Sequence, residues 1–175
     1  MTVSASSLKL YLSGGAANSD PDASLGGAKS SVAVSSSSLN NIFDDVTGTE
    51  AGAGDVEYRC IYFVQEDADA SGLADPVVWV SAAPNVSGVA TGEAIAYAVD
   101  LAGKNAEADT VADESTAPSP TVTWVTGTTK GTGLALPSGP YTEDDYIAIW
   151  LRRTTPSSQA VSAGTEFTLS IEGES

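Results

Sequence analysis

The sequence predicts an all-β fold, a two-layer antiparallel β-sandwich of immunoglobulin-like or jelly-roll type with about nine strands, and three observations support it. Apolar residues recur with a period of two along many short runs, as half-buried antiparallel strands require. No stretch of about 10–12 residues carries a 3.6-residue period free of glycine or β-branched crowding. The intervening segments, such as "TGTEAGAGD", "ESTAPSP" and "TPSSQAVSAGT", are dense in Gly, Pro, Asp and Ser, which supply turn conformations.

In chain order, the first strand falls near 8–12, where Leu8, Leu10 and Leu12 alternate, and a second near 30–35. The run 55–65 puts Val56, Tyr58, Cys60, Tyr62 and Val64 on one face. Further strands fall near 76–82, near 93–101 through Ile95, Tyr97 and Val99, near 120–126 through Val122 and Trp124, and near 132–136. In the run 145–154, Ile147, Ile149 and Leu151 share one face while Tyr146, Ala148 and Trp150 share the other, which predicts a strand buried on both faces near the middle of a sheet. The closing "TEFTLSIEG" sets Phe167, Leu169 and Ile171 against Glu166, Thr168, Ser170 and Glu172, a strand with one wet face. "SLNNIFDDV" is the one segment suited to a helical turn. The three tryptophans belong in or near the core.

At 175 residues the chain has the length of a single domain. Residues 1–7 are polar and read as an N-terminal arm, with 8–175 as the sandwich; no repeat period is visible. No apolar run is long enough to span a bilayer, and the N-terminus lacks the basic and continuous apolar regions of a signal peptide. A single cysteine, Cys60, rules out an intrachain disulfide, and its place in "VEYRCIYFV" marks it as a small buried hydrophobe.

Charge is the strongest compositional signal. Seven basic residues against 23 acidic ones give a formal charge of −16. Such a surface repels phosphate backbones, so no nucleic-acid partner is expected; it keeps free subunits soluble and apart.

Histidine is absent, which excludes Ser-His-Asp triads, Cys-His dyads and His-bearing metal sites. Asp44, Asp45, Asp144 and Asp145 form acidic pairs in turn-like contexts with no aromatic platform beside them, a weak basis for glycoside cleavage. "GTTKGTG" lacks the spacing of a phosphate loop. No enzymatic activity is expected, and no cofactor. The one metal-like pattern is "EDADASGLAD": Asp67, Asp69, Ser71 and Asp75 fall at positions 1, 3, 5 and 9 of a calcium loop, with Gly72 at its turn position. Val78 stands where the bidentate glutamate belongs, which excludes an EF-hand and leaves a solvated acidic loop as the main expectation, with calcium as the alternative.

Arg152 and Arg153 stand side by side at the end of the 145–154 strand, two of only three arginines. Arg152 continues the Trp150 face and Arg153 the Ile149 face. Both are expected at the sandwich rim, anchoring carboxylates of acidic loops such as "YTEDD" by charge-assisted hydrogen bonds, or serving an interface.

Four phrases, "LKLYLSGGAANSDPDASLGGAKSS", "NNIFDDVTGTEAGAGDVEYRCIYFV", "DYIAIWLRRTTP" and "FTLSIEG", together resemble small structural proteins of tailed-bacteriophage virions; the middle, 66–135, departs from the pattern. The resemblance implies a multicopy, non-enzymatic particle component assembled in the host cytoplasm, where an unpaired cysteine is tolerated. Its expected partners are the major capsid protein or another virion protein and, as a homo-oligomer, further copies of itself, with no membrane involved. The acidic charge disfavours the DNA-filled interior and favours capsid decoration on the outer head surface. A tail, neck or baseplate accessory is the alternative, and an adhesin-like carbohydrate-binding module the second.

Overall fold

The computed structural model describes residues 3–68, 71–85, 92–161 and 166–174. Among them are seven strands: β1 (Leu8–Leu12), β2 (Asp55–Gln65), β3 (Ala74–Asn85), β4 (Ala94–Val99), β5 (Leu134–Ala135), β6 (Tyr146–Thr155) and β7 (Glu166–Glu174). They form two antiparallel sheets, a four-stranded one in the order β1-β2-β6-β4 and a three-stranded one in the order β5-β3-β7.

The period-two pattern explains how the sheets meet. Ile61 and Phe63 of β2 lie opposite Ile149 and Ile147 of β6, and with Leu151, Ile95 and Tyr97 they face Val78 and Val80 of β3 in one core. Phe167, Leu169 and Ile171 of β7 pack against that core but remain only partly buried. The other parity of the four-stranded sheet is buried too: Cys60, Tyr62, Val64, Ala98, Ala148 and Trp150 lie beneath Ala108, Val111 and Val122 of the long loops. The expectation of a central strand buried on both faces therefore holds for β6, which runs between β2 and β4.

These covering loops are fixed by hydrogen bonds. Trp150 Nε1 donates to Asp100 Oδ2 at 2.7 Å. The Tyr62 hydroxyl donates to the Gly27 carbonyl at 2.5 Å and accepts from the Ala108 N–H at 2.8 Å. Where the loops cross, Gly26 sits at φ +92° and any Cβ there would fall 1.9 Å from the Asp109 carbonyl oxygen. Only glycine fits so close an approach with positive φ.

Several expected strands are shorter than the pattern implies. The 30–35 segment contributes a single bridge, Ala33 to Tyr11, and the 120–126 segment a single bridge, Val125 to Tyr97; 132–136 shrinks to the two residues of β5. Among the described residues seven strands thus stand where nine were expected, because Ser-, Gly- and Pro-rich flanks leave these segments too few aligned donors to extend a ladder. The "SLNNIFDDV" segment is not helical; Ile42 and Phe43 instead plug into the core. The one α-helix among the described residues, α1 (Gly48–Ala53), follows it and is started by a capping box in which Thr47 and Glu50 bond each other's backbone N–H groups. The segment expected as an arm lies against the body from its third residue: Val3 packs on the core, and Ala5–Ser7 form a 3₁₀ turn.

Candidate functional site: the end of β6 and the groove beside β7

Arg152 and Arg153 point to opposite faces of the sheet, as alternation demands, and meet different surroundings. Arg153 lies directly opposite Glu57 of β2, and its Nε donates to the Glu57 carboxylate. Its Nη1 donates to the Asp44 carbonyl at 2.6 Å and its Nη2 to Asp44 Oδ1 at 3.1 Å. Both members of the pair are buried, Glu57 at 2% and Arg153 at 5% exposure. The expectation of a rim position is corrected for Arg153: β6 stays buried on this face through Thr155, because a paired guanidinium replaces the apolar side chain.

The partners differ from the expected ones as well. "YTEDD" lies at the opposite, N-terminal end of β6. There Asp145 accepts from Asn105 Nδ2 at 2.6 Å and from the Thr142 N–H and hydroxyl at 2.7 and 2.8 Å, and pairs with Lys104 at 2.8 Å. Burial works against its ionisation, but these donors prevail and hold its carboxyl well below the usual carboxylate range.

One Glu57 oxygen, Oε1, is buried without a partner. Burial pushes the Glu57 carboxyl up to about 7, further than Arg153 can draw it back. Two guanidinium groups approach the Phe43 ring, Arg153 at 5.0 Å and Arg59 at 5.6 Å from its centre. Arg59, fully buried, reaches Asp22 at 3.0 Å and Glu114 at 2.6 Å. This charged cluster under the sheet was not anticipated; its one sequence signal is the pair of opposite charges inside the apolar run "VEYRCIYFV".

Arg152 stacks on Trp124, 4.9 Å from its ring centre, and Trp124 in turn packs against Tyr58 at 5.7 Å. All three are half-buried. The Arg152 Nε is buried with no hydrogen-bond partner, and among the described residues Arg152 makes no ion pair.

The acidic 66–75 loop is only partly described. Asp67 accepts from the Ser4 N–H at 2.8 Å and the Ser7 hydroxyl at 3.3 Å. Asp69 lies outside the described residues, while Ser71 and Asp75 are exposed. Among the described residues no group of three or more carboxylate or cysteine side chains is gathered as a metal would require. Cys60 is buried, and that burial pushes its thiol well up, away from the thiolate a nucleophile needs.

Beside β7 runs a groove of about 420 Å³ between that strand and the 34–46 segment. It is lined by the apolar Leu10, Val34, Ile95, Phe167 and Leu169 and by Ser36–Asn41, Asp44 and Arg153. No backbone hydrogen bond joins the 34–46 segment to β7 among the described residues.

The chain matches no known family model, no curated protein and no solved structure.

Proposed function

We propose that this chain is a non-enzymatic structural protein of a tailed-phage virion, a decoration protein that docks on the outer surface of the head. In this reading the two sheets form a small immunoglobulin-like or jelly-roll sandwich acting as a rigid body. The supporting observation is how unevenly the fold is closed. The four-stranded sheet is covered on both faces. Its β1 edge is bonded by the 30–34 segment, through Leu12 N–H to Val32 O and Val34 N–H to Leu10 O, and its β4 edge by Val125. The outer edge of β7 has no such cover among the described residues. A body sealed on one side and open along one edge suits one-sided docking, repeated many times on a lattice where weak contacts gain strength by multivalency.

The acidic charge fits an exterior position free of packaged DNA and keeps unassembled subunits apart. The partners in this reading are the major capsid protein or another virion protein and, through oligomer formation, further copies of the chain. The half-buried Trp124–Tyr58 pair favours a second reading, a carbohydrate-binding module, since aromatic faces stack on sugars; a glycan array separates the two. Removing the protein from the particle tests the decoration role. Heads should still assemble but release DNA at lower temperature or milder osmotic shock, and adding purified protein should restore resistance. Unchanged resistance with and without it argues against a cementing role.

A further inference from the structure

We propose that the groove beside β7 receives an extended, basic segment of the partner protein, which joins the three-stranded sheet as a fourth strand. This rests on the docking reading above and gives it a mechanism. The first observation is a gradient of burial. In β3, the inward Val78 and Val80 are 0% and 4% exposed, whereas Phe167, Leu169 and Ile171, facing the same way from β7, are only half-buried. Burial fades where a neighbouring strand is missing, and three strands face four across the core.

The second observation is the unpaired backbone. β7 bonds β3 on one side only, and no described residue takes the donors and acceptors on its other side. An edge of nine residues with unpaired groups is a template for strand addition. Glu166–Leu169 of β7 line the groove, about 13 Å of strand, enough for two guest side chains to face its apolar lining. Leu39, also among the lining residues, is 73% exposed and available to cover the guest.

The third observation is charge, which selects the guest. Glu166 lines the groove, and among its described lining residues the one cation, Arg153, is bound by Glu57 and Asp44. A second copy of β7, carrying Glu166, Glu172 and Glu174, would bring like charges together. A segment of alternating apolar residues bearing lysine or arginine where it passes Glu166 gains both pairing and charge complementarity.

The test ties the guest to the chain, so that effective concentration replaces unknown affinity. An Asn-Gly turn and a nine-residue tail alternating valine with threonine, ending in two lysines, is appended after Ser175 so that it folds back along β7. The lysine-ended tail should slow hydrogen exchange of β7 amides by about tenfold or more and raise the melting temperature by about 3 °C or more. A glutamate-ended tail should give a smaller effect at low salt, and a lysine-ended tail with proline at every second residue should give none. Strand addition is overturned if the lysine tail leaves β7 amides exchanging as in the untailed chain, or if the proline tail protects them equally. It is also overturned if soluble glycans shift the Phe167 and Leu169 resonances while no tail has any effect. A protein found on the head whose β7 ignores the tail sinks strand addition alone; a protein whose β7 pairs with the tail but is absent from particles sinks the virion reading alone.

Discussion

Glu57 and Arg153 face each other across β2 and β6 as a buried ion pair in which one carboxylate oxygen has no hydrogen-bond partner. A buried pair is expensive to break from one side, since the survivor keeps its desolvation cost without compensation. Arg153→Met should therefore cost about 3–5 kcal/mol at pH 8. The loss should shrink toward pH 5, where the orphaned Glu57 takes up a proton. Urea denaturation at the two pH values measures both.

The intact pair sets a pH dependence of its own. Glu57 has a folded-state pKa of about 7 against an ordinary value of 4.5, so between those values the folded state binds the proton more tightly than the unfolded chain. Its contribution is fully present below the unfolded value and is lost as pH rises through about 7, with a slope of at most about 1.4 kcal/mol per pH unit. Glu57→Gln should remove that slope. The check is the difference in unfolding free energy between the two proteins at pH 5 and pH 8.

Asp145 carries the opposite sign. Its carboxyl is held below the usual range, so the stability it supplies is present above the unfolded pKa and disappears as pH falls through the folded one. Asp145→Ala should destabilise the protein near neutrality and make its acid unfolding shallower. Circular dichroism from pH 6 down to pH 2 records the difference.

Neighbouring arginines should behave differently. Arg152 holds Trp124 by stacking and has no carboxylate partner among the described residues, so Arg152→Ala should cost no more than about 1 kcal/mol, far less than the Arg153 substitution. A comparable loss in both would contradict the division of labour between the two faces.

How much of this was legible in the sequence depended on locality. The apolar run Ile147–Leu151 carries hydrophobic residues on both parities, which is enough to make β6 central. The burial of Arg153 was not legible, because its partner Glu57 lies 96 residues away and only the sheet register brings them together. The loops over Cys60, Tyr62 and Trp150 have no period, so nothing marked Ala108, Val111 and Val122 as a cover for the second face. Helix α1 carries no helical period, since two of its six residues are glycine. Its signal was Thr47 with Glu50 three residues on, a capping box rather than a periodic face. The groove beside β7 brings together β7 and the 34–46 segment, far apart in the chain, which no local pattern announces.

Gly26 tests the crossing of the cover loops. Gly26→Ala places a methyl group against the Asp109 carbonyl at a positive φ and should cost at least about 2 kcal/mol. Gly15→Ala, also at positive φ but with no atom near the added carbon, should cost only about 1 kcal/mol. Thermal unfolding of the two variants side by side decides whether close approach or backbone strain dominates.

Image reconstruction of purified particles, with the protein's copy number counted in the same preparation, tests the decoration role most directly. Density for a small two-sheet body on the outer capsid surface, repeated in hundreds of copies and seated with its β7 edge toward the capsid, is the expected result. A few copies at the tail, neck or portal vertex, or no copies in the particle, would contradict it.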